Sequence, residues 1–454
     1  MNAPLRFALL ALALASLHAA NARASATLAD PYPQAAAGWG PSLGEGRMAS
    51  RWAEPLPPGE KFALHAGLRL RQAAWRDAPA KGTTDQGQLR AVLGADWRPL
   101  PALRFYGELA SGDVTRGADV APPNFRNALS VQQLFVELRR PVGTALAGVM
   151  AGRQEFADGP RQLLSLSDGP NLHRSWNGLR AYVHAGRWRL GAFDLRATRL
   201  GTGTFDDGID PRETLRGLNA GFVVGERGTM FVEPFWLRST QPAYRVAGAA
   251  GRDERNTAGL RAWGSRGAWT FDATLARQSG HTVGGRDIDA WGLFATHGLA
   301  LTDAGWRPRL TARLDLASGG GAWGTGAVRS FHPLYARSSY VSEGQLLALA
   351  NVAILAPGVT LSPTPRTTLS AEIGHVRRLA TDDAVYATAT RTYAGTQATS
   401  GRHVGELLRV AGTWRPSPRL GLRLAFEHLH AGGVLRRAGH GSASAAFLDL
   451  TWRY

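Results

Sequence analysis

Charged residues of both signs crowd the stretch 152–182, which reads GRQEFADGPRQLLSLSDGPNLHRSWNGLRAY. Arg153, Glu155, Asp158, Arg161, Asp168, Arg174 and Arg180 follow one another at short intervals, with Gly, Asn and Pro between them. Guanidinium forks of this kind grip carboxylates bidentately, and neighbouring acids can hold the forks in place. The stretch is too polar for a soluble core and suits the wall of a water-filled cavity. Arg90, Arg104, Arg309, Arg313 and Arg423 fall on the polar faces of other alternating segments, with Glu108, Glu137 and Glu427 nearby. In a narrow pore with low-dielectric walls, such arginines attract anions. Each can equally pair with an inward acid and stiffen the wall.

No catalytic set accompanies them. His173, His281, His332, His403, His428, His430 and His440 are scattered through loops and strand ends. His428-x-His430 could hold a metal, but a pair on one strand face without partners reads better as a surface or girdle feature. His297 and Ser318 have no sequence context that pairs them. Asp206-Asp207-Gly208-Ile209-Asp210, with Glu213 behind, lacks the ordered spacing of a calcium loop. No catalytic residue, metal or cofactor is assigned.

The elements that must position the arginines alternate with period two. Phe62, Leu64, Ala66, Leu68 and Leu70 share one face, and His65, Arg69 and Arg71 the other. Leu310, Ala312, Leu314 and Leu316 oppose Arg309, Arg313 and Asp315, and Leu420, Leu422, Leu424 and Phe426 oppose Arg423 and Glu427. Charges in mid-strand are what a polar lumen requires, while lipid takes the apolar face. Short Pro/Gly turns such as Trp97-Arg98-Pro99-Leu100-Pro101 and Trp414-Arg415-Pro416-Ser417-Pro418 alternate with long polar loops. The long connections include 77–88, 111–130, 156–175, 198–214, 241–256, 279–287, 318–338, 377–401 and 431–441. These nine hairpins predict about 18 strands, and only 356–365, a Pro-rich connection where a tight turn is due, breaks the rhythm. Trp97, Trp188, Trp263, Trp269, Trp306, Trp414 and Trp452 sit at strand ends, where an indole girdle meets the membrane interface. The fold class expected is all-β, a transmembrane antiparallel up-and-down β-barrel.

The totals agree. Past the N-terminus no apolar run approaches the roughly 20 residues of a membrane helix. The chain has 454 residues, no cysteine and a net charge of +17, almost all of it from arginine, since Lys61 and Lys81 are the only lysines. The arginines are dispersed singly, which argues against nucleic acid as the anionic partner. Residues 1–24, with the apolar run FALLALALASL, are expected to be a signal peptide. Residues 25–58 read as a lead-in segment, and 59–454 as the barrel.

The Gly152-Arg153-Gln154-Glu155, Asp168-Gly169-Pro170-Asn171 and Arg174-Ser175-x-x-Gly178-x-Arg180 runs resemble the signature of the alginate-export family of outer-membrane barrels. Asn351, Pro363-Thr364 and Arg377-Arg378-x-x-x-x-Asp383-x-x-Tyr386 are similar to its C-terminal half. Asn177 and Leu408 stand where family members often carry acids. The resemblance implies an 18-stranded monomeric barrel in the bacterial outer membrane with an Arg-lined pore that passes an anionic polyuronate. It nominates Arg153, Glu155, Arg161, Asp168, Arg174 and Arg180 as channel-lining or wall-ordering residues. The expected function is therefore an outer-membrane channel for anionic solutes. A non-conducting barrel acting as an enzyme or adhesin through its loops is the alternative. The expected partners are anionic solutes or polyuronate, outer-membrane lipid, and the barrel-assembly machinery, which in such proteins recognises the C-terminal strand, here ending at Tyr454.

Overall fold

A computed structural model describes residues 61–115, 121–225, 229–336 and 338–453. The expected signal peptide, the whole lead-in segment and Tyr454 lie outside the described residues. Eighteen strands form one sheet. They are β1 (Phe62–Ala78), β2 (Gly82–Leu100), β3 (Leu103–Val114), β4 (Asn127–Val142), β5 (Ala145–Glu155) and β6 (Ser175–His184). Next come β7 (Trp188–Arg199), β8 (Gly208–Val224), β9 (Met230–Val246), β10 (Ala249–Arg266), β11 (Trp269–Thr282) and β12 (Arg286–Ala300). The last six are β13 (Arg309–Ala317), β14 (Val352–Thr364), β15 (Thr367–Arg377), β16 (His403–Trp414), β17 (Leu420–Ala431) and β18 (Ala443–Arg453).

Every strand pairs antiparallel with the next, and β18 returns to β1 in a ladder from Gly67↔Arg453 to Arg76↔Ser444. The sheet therefore has no edge, the one way a β-structure can stand in hydrocarbon with its backbone polar groups paired. Alternation sets the two faces. Leu64, Leu68 and Leu70 of β1 are exposed outward, as are Leu310 and Leu314 of β13 and Leu448, Leu450 and Trp452 of β18, while Arg69, Arg71, Arg313 and Asp449 are buried on the inside. Trp97, Trp188, Trp269, Trp306, Trp414 and Trp452 are all outward and at the end with the tight turns. Trp263 departs from this girdle. It is buried on the inner face of β10, stacked on Phe231 with centroids 4.4 Å apart and under the Arg261 guanidinium. Its odd position in β10, in phase with Arg261, turns it inward.

Several expected loops are strand. β1 and β2 run to within three residues of each other, β9 and β10 within two. Above the membrane both faces of a ladder are wet, so polar sequence can continue a strand that composition alone reads as loop. The Pro-rich 356–365 segment is also mostly strand: β14 pairs Ala312↔Pro357 and Arg309↔Thr360 with β13, and the turn is Pro365-Arg366. The tight-turn rhythm is thus unbroken.

Leu275 lies outward and mid-band, 56 % exposed. Leu275→Arg is expected to lower the unfolding free energy in lipid by about 2–4 kcal/mol, the cost of a cation near the bilayer midplane. Equilibrium denaturant titration in vesicles measures it.

Candidate functional site

Two connections turn into the barrel. The β5–β6 loop, 156–174, leaves the wall where Gly152 faces Gly178 across the ladder. Both glycines have positive φ, +131° and +154°, and a Cβ would fall 2.3 Å from the Leu134 carbonyl oxygen and 2.1 Å from that of Asp194. Only glycine allows that approach. The β13–β14 loop, 318–351, meets the first loop inside. Ser165 donates to the Tyr335 carbonyl at 3.1 Å, Leu163 and Leu164 pack with Phe331, Leu334 and Tyr335 in one buried cluster, and Arg174 lies over the Tyr335 ring at 4.7 Å.

Charges tie the first loop to the wall. Asp168 accepts from Arg90 of β2 at 2.9 Å and from His173 Nε2 at 2.7 Å. His173 Nδ1 donates to Glu155 at 2.6 Å. Arg69 of β1 donates to the carbonyls of Asp168 and Pro170 at 2.5 and 2.6 Å. Asn171 closes the knot by donating to the Asp113 and Phe125 carbonyls at 2.8 and 2.6 Å. Burial and the nearby Arg90 oppose a charge on His173, but Glu155 and Asp168 outweigh them and raise its pKa to about 9. Burial also works against the Asp168 carboxylate, yet Arg90, His173 and Arg69 hold it well below the usual carboxylate range.

The second loop is held by acids and arginines on the adjoining arc, which runs from β1 back through β18, β17 and β16. Glu343 receives Arg71 at 2.9 Å and Arg423 at 2.5 Å, and both arginines also reach Asp449. Glu427 accepts from Ser342 Oγ and the Gly344 N–H, at 2.7 and 2.9 Å, while Arg409 donates to the Ser339 carbonyl at 2.7 Å. Tyr340 donates to Asp315 at 2.7 Å. His332 also lies in this loop, where burial first and Arg255 second push its pKa down to about 3, so it stays neutral.

The nominated residues divide by exposure and partner. Arg104 and Arg313 are buried, the first on Asp96, the second on Asp315 and Glu372. Arg90, Arg180 and Arg423 are partly exposed on the inner face, and Arg180 lies 3.6 Å from Asp158. Arg153 departs from the expected lining: the ladder pairs it with Leu134, which is exposed outward, so it lies on the outer face above the apolar band and donates to Asp207 at 3.2 Å. Arg309, also half-buried, donates to Thr270 Oγ1 at 2.9 Å. Arg161 sits half-buried in the inserted loop. Arg69 and Arg71, placed by the sequence on the polar face of their strand but not nominated, prove equally central, as do Arg409 and Glu343. Strand parity could have found Arg409, two residues from the inward Leu407; Glu343 has no such signal. Of the second family-like run, Arg378 donates to the Gly401, Asp383 and Thr396 carbonyls, Asp383 accepts from the Gly320 N–H and Tyr386, and Asn351 spans Ala380 and Ala384. These residues knit loop 318–351 to loop 378–402.

The weaker chemical candidates come apart. His297 faces outward against Trp269, while Ser318 donates inward to the Arg329 carbonyl. Asp206, Asp207 and Asp210 are each taken by local partners: the Gly203 N–H, Ser130 with Arg153, and Arg212.

An edgeless 18-stranded wall, greasy outside and charged within, defines a bacterial outer-membrane β-barrel, and its class is that of solute channels. Residues 81–449 match the alginate export family, and the chain belongs to it. The fold is shared by solved barrels of low identity. Acinetobacter baumannii OccAB1 is 11% identical over 87% of this chain and 96% of its own, with a TM-score of 0.59. Pseudomonas aeruginosa OpdK, solved with vanillate, is 12% identical over 86% and 98%, TM-score 0.56. Pseudomonas aeruginosa OccK2 (OpdF), in complex with glucuronate, is 13% identical over 86% and 97%, TM-score 0.54. No match is found among curated proteins.

The charged His173 stabilises the latch fully below its ordinary pKa of about 6.5, and that contribution fades as pH rises through about 9. Hydrogen exchange across 168–173 is expected to quicken between pH 6.5 and 10 beyond its intrinsic pH dependence. In His173→Gln the extra acceleration should vanish, with the loop already loose at pH 6.

Proposed function

We propose that this barrel passes anionic solutes of the acidic-saccharide class, down their gradient, past guanidinium groups on its inner face. Arg90, Arg180, Arg309 and Arg423 are the contact residues in this reading, with Arg161 and Arg174 on the inserted loop. Arg104 and Arg313 order the wall, and Glu155 and Asp168 fix the loop. The observation that carries the proposal is the set of partly exposed inward arginines, Arg90, Arg180 and Arg423, beside the two inserted loops. Arg69, Arg90 and the charged His173 share two carboxylates, Asp168 and Glu155, which leaves one positive charge in excess among these five groups. Such a field raises anion occupancy in a pore with low-dielectric walls. Support also comes from the family and from glucuronate and vanillate, both carboxylates, in two structures of the same fold. The family and these neighbours are channels and outer-membrane barrels rather than enzymes, and catalysis has no part in the reading.

In planar bilayers, uronate oligomers should interrupt the current, and neutral oligosaccharides of equal length should not. Arg309→Gln, whose side chain has the fewest structural ties, should weaken that block roughly tenfold, the worth of one charge-assisted hydrogen bond of about 1.5 kcal/mol. Equal block by neutral and acidic oligomers would overturn the assignment.

A further inference from the structure

The barrel's register assembles a second cluster on the opposite face of the wall. His375 of β15 pairs with Glu406 of β16, and Glu406 pairs with His430 of β17. The three residues form one row across adjacent strands, where directly opposed Cβ atoms lie about 4.5–5.5 Å apart. All three point outward: Ile373 and Leu408, two residues away on the same face, are exposed to lipid, and Glu372, Leu407 and Leu429 are buried on the inside. His403, at the start of β16, folds over the row. Its ring stacks on that of His375 with centroids 5.2 Å apart. Its Nε2 is 2.8 Å from Glu406 Oε1, and His375 Nδ1 is 3.6 Å from the same oxygen. One donor atom from each of His375, His403 and Glu406 lies within 4.8 Å of the others.

The height of the row follows from strand geometry. Glu406 is eight residues from Trp414, which marks the interface at the turn end. At about 3.4 Å per residue and a tilt near 40°, that is roughly 20 Å along the membrane normal. An apolar band about 25 Å tall ends just above. The row therefore sits at the outer-leaflet boundary, with Ile373 and Leu408 below it and Arg377 above.

We propose that His375, His403 and Glu406, with His430 beside them, form a binding site for a divalent transition-metal ion of the Zn²⁺ type. Two imidazoles and one carboxylate are a ligand set that zinc accepts, with a further position open to water or a fourth ligand. Imidazole selects zinc, copper and nickel over magnesium and calcium. A tetrahedral ion with bonds of about 2.0–2.1 Å needs donors about 3.3 Å apart. Exposed side chains reach that spacing by moving on the order of 1 Å, while the ladder fixes their Cα positions. A metal held by these three ligands staples two adjacent strands, β15 and β16, at their outward ends. Arg377, in register with His403, is a cation set against the ion, and it is exposed.

The test is Zn²⁺ titration of the full-length barrel in detergent, by calorimetry with a competing chelator. Heat-modifiable gel migration confirms that each variant is folded. One Zn²⁺ per chain is expected. His375→Ala and His403→Ala should each weaken binding at least about tenfold, as loss of even an indirect partner of a metal ligand does. His297→Ala, at the other end of the barrel, should bind as the wild type does. X-ray absorption should report at least two imidazoles in the first shell. Absence of stoichiometric binding, or retention of wild-type affinity in the His375→Ala/His403→Ala double variant, would overturn the proposal and leave the row an interfacial polar girdle.

Discussion

Backbone hydrogen bonding that closes on itself is the constraint from which the rest of this molecule follows. In hydrocarbon an unpaired N–H or C=O costs several kcal/mol, so a sheet must either close or stay out. Here β18 meets β1 over ten residue pairs, from Gly67↔Arg453 to Arg76↔Ser444, and the last edge disappears. Closure fixes the parity of every strand, since a one-residue slip would turn the Leu row inward and the Arg row into lipid. The arginines are therefore inside because the leucines must be outside.

An interior so rich in guanidinium needs partners. Exposed ion pairs contribute little, but a buried charge left alone is costly. The barrel meets this by turning two loops inward and dividing the wall's charges between them. The shorter loop brings Asp168 and His173 to Arg69 and Arg90; the longer brings Glu343 to Arg71 and Arg423. Leu163, Phe331 and Tyr335 give the loops an apolar core of their own where they touch. Wall and loops thus order one another. In the proposed function, the arginines that remain partly exposed after this pairing are the ones a solute meets.

Much of this was legible in the chain. Mid-strand charge opposite an apolar stripe marked the lumen, and the alternation of tight and long connections gave the strand number. The family-like runs pointed at the residues that base and pin the inserted loop. Strand ends were not legible, because above the bilayer a ladder has no apolar face to mark it; Gly82–Gln88 of β2 is the example. Trp263 was misplaced because position near a strand end does not reveal parity. The inward turn of loop 318–351 rests on contacts such as Glu343 with Arg71, 272 residues apart, and local pattern carries no trace of them. The row His375–Glu406–His430 hides for the same reason: each residue is isolated in sequence and becomes a cluster only through register.

The central claim is that this closed wall encloses a conducting path whose field favours anions. The most direct measurement is the reversal potential of the purified barrel in a planar bilayer under a potassium chloride gradient. The account predicts a potential displaced toward that of chloride and smaller in magnitude at high salt, where inward charges are screened. A potential displaced toward that of potassium, or a folded barrel that carries no current, would contradict it.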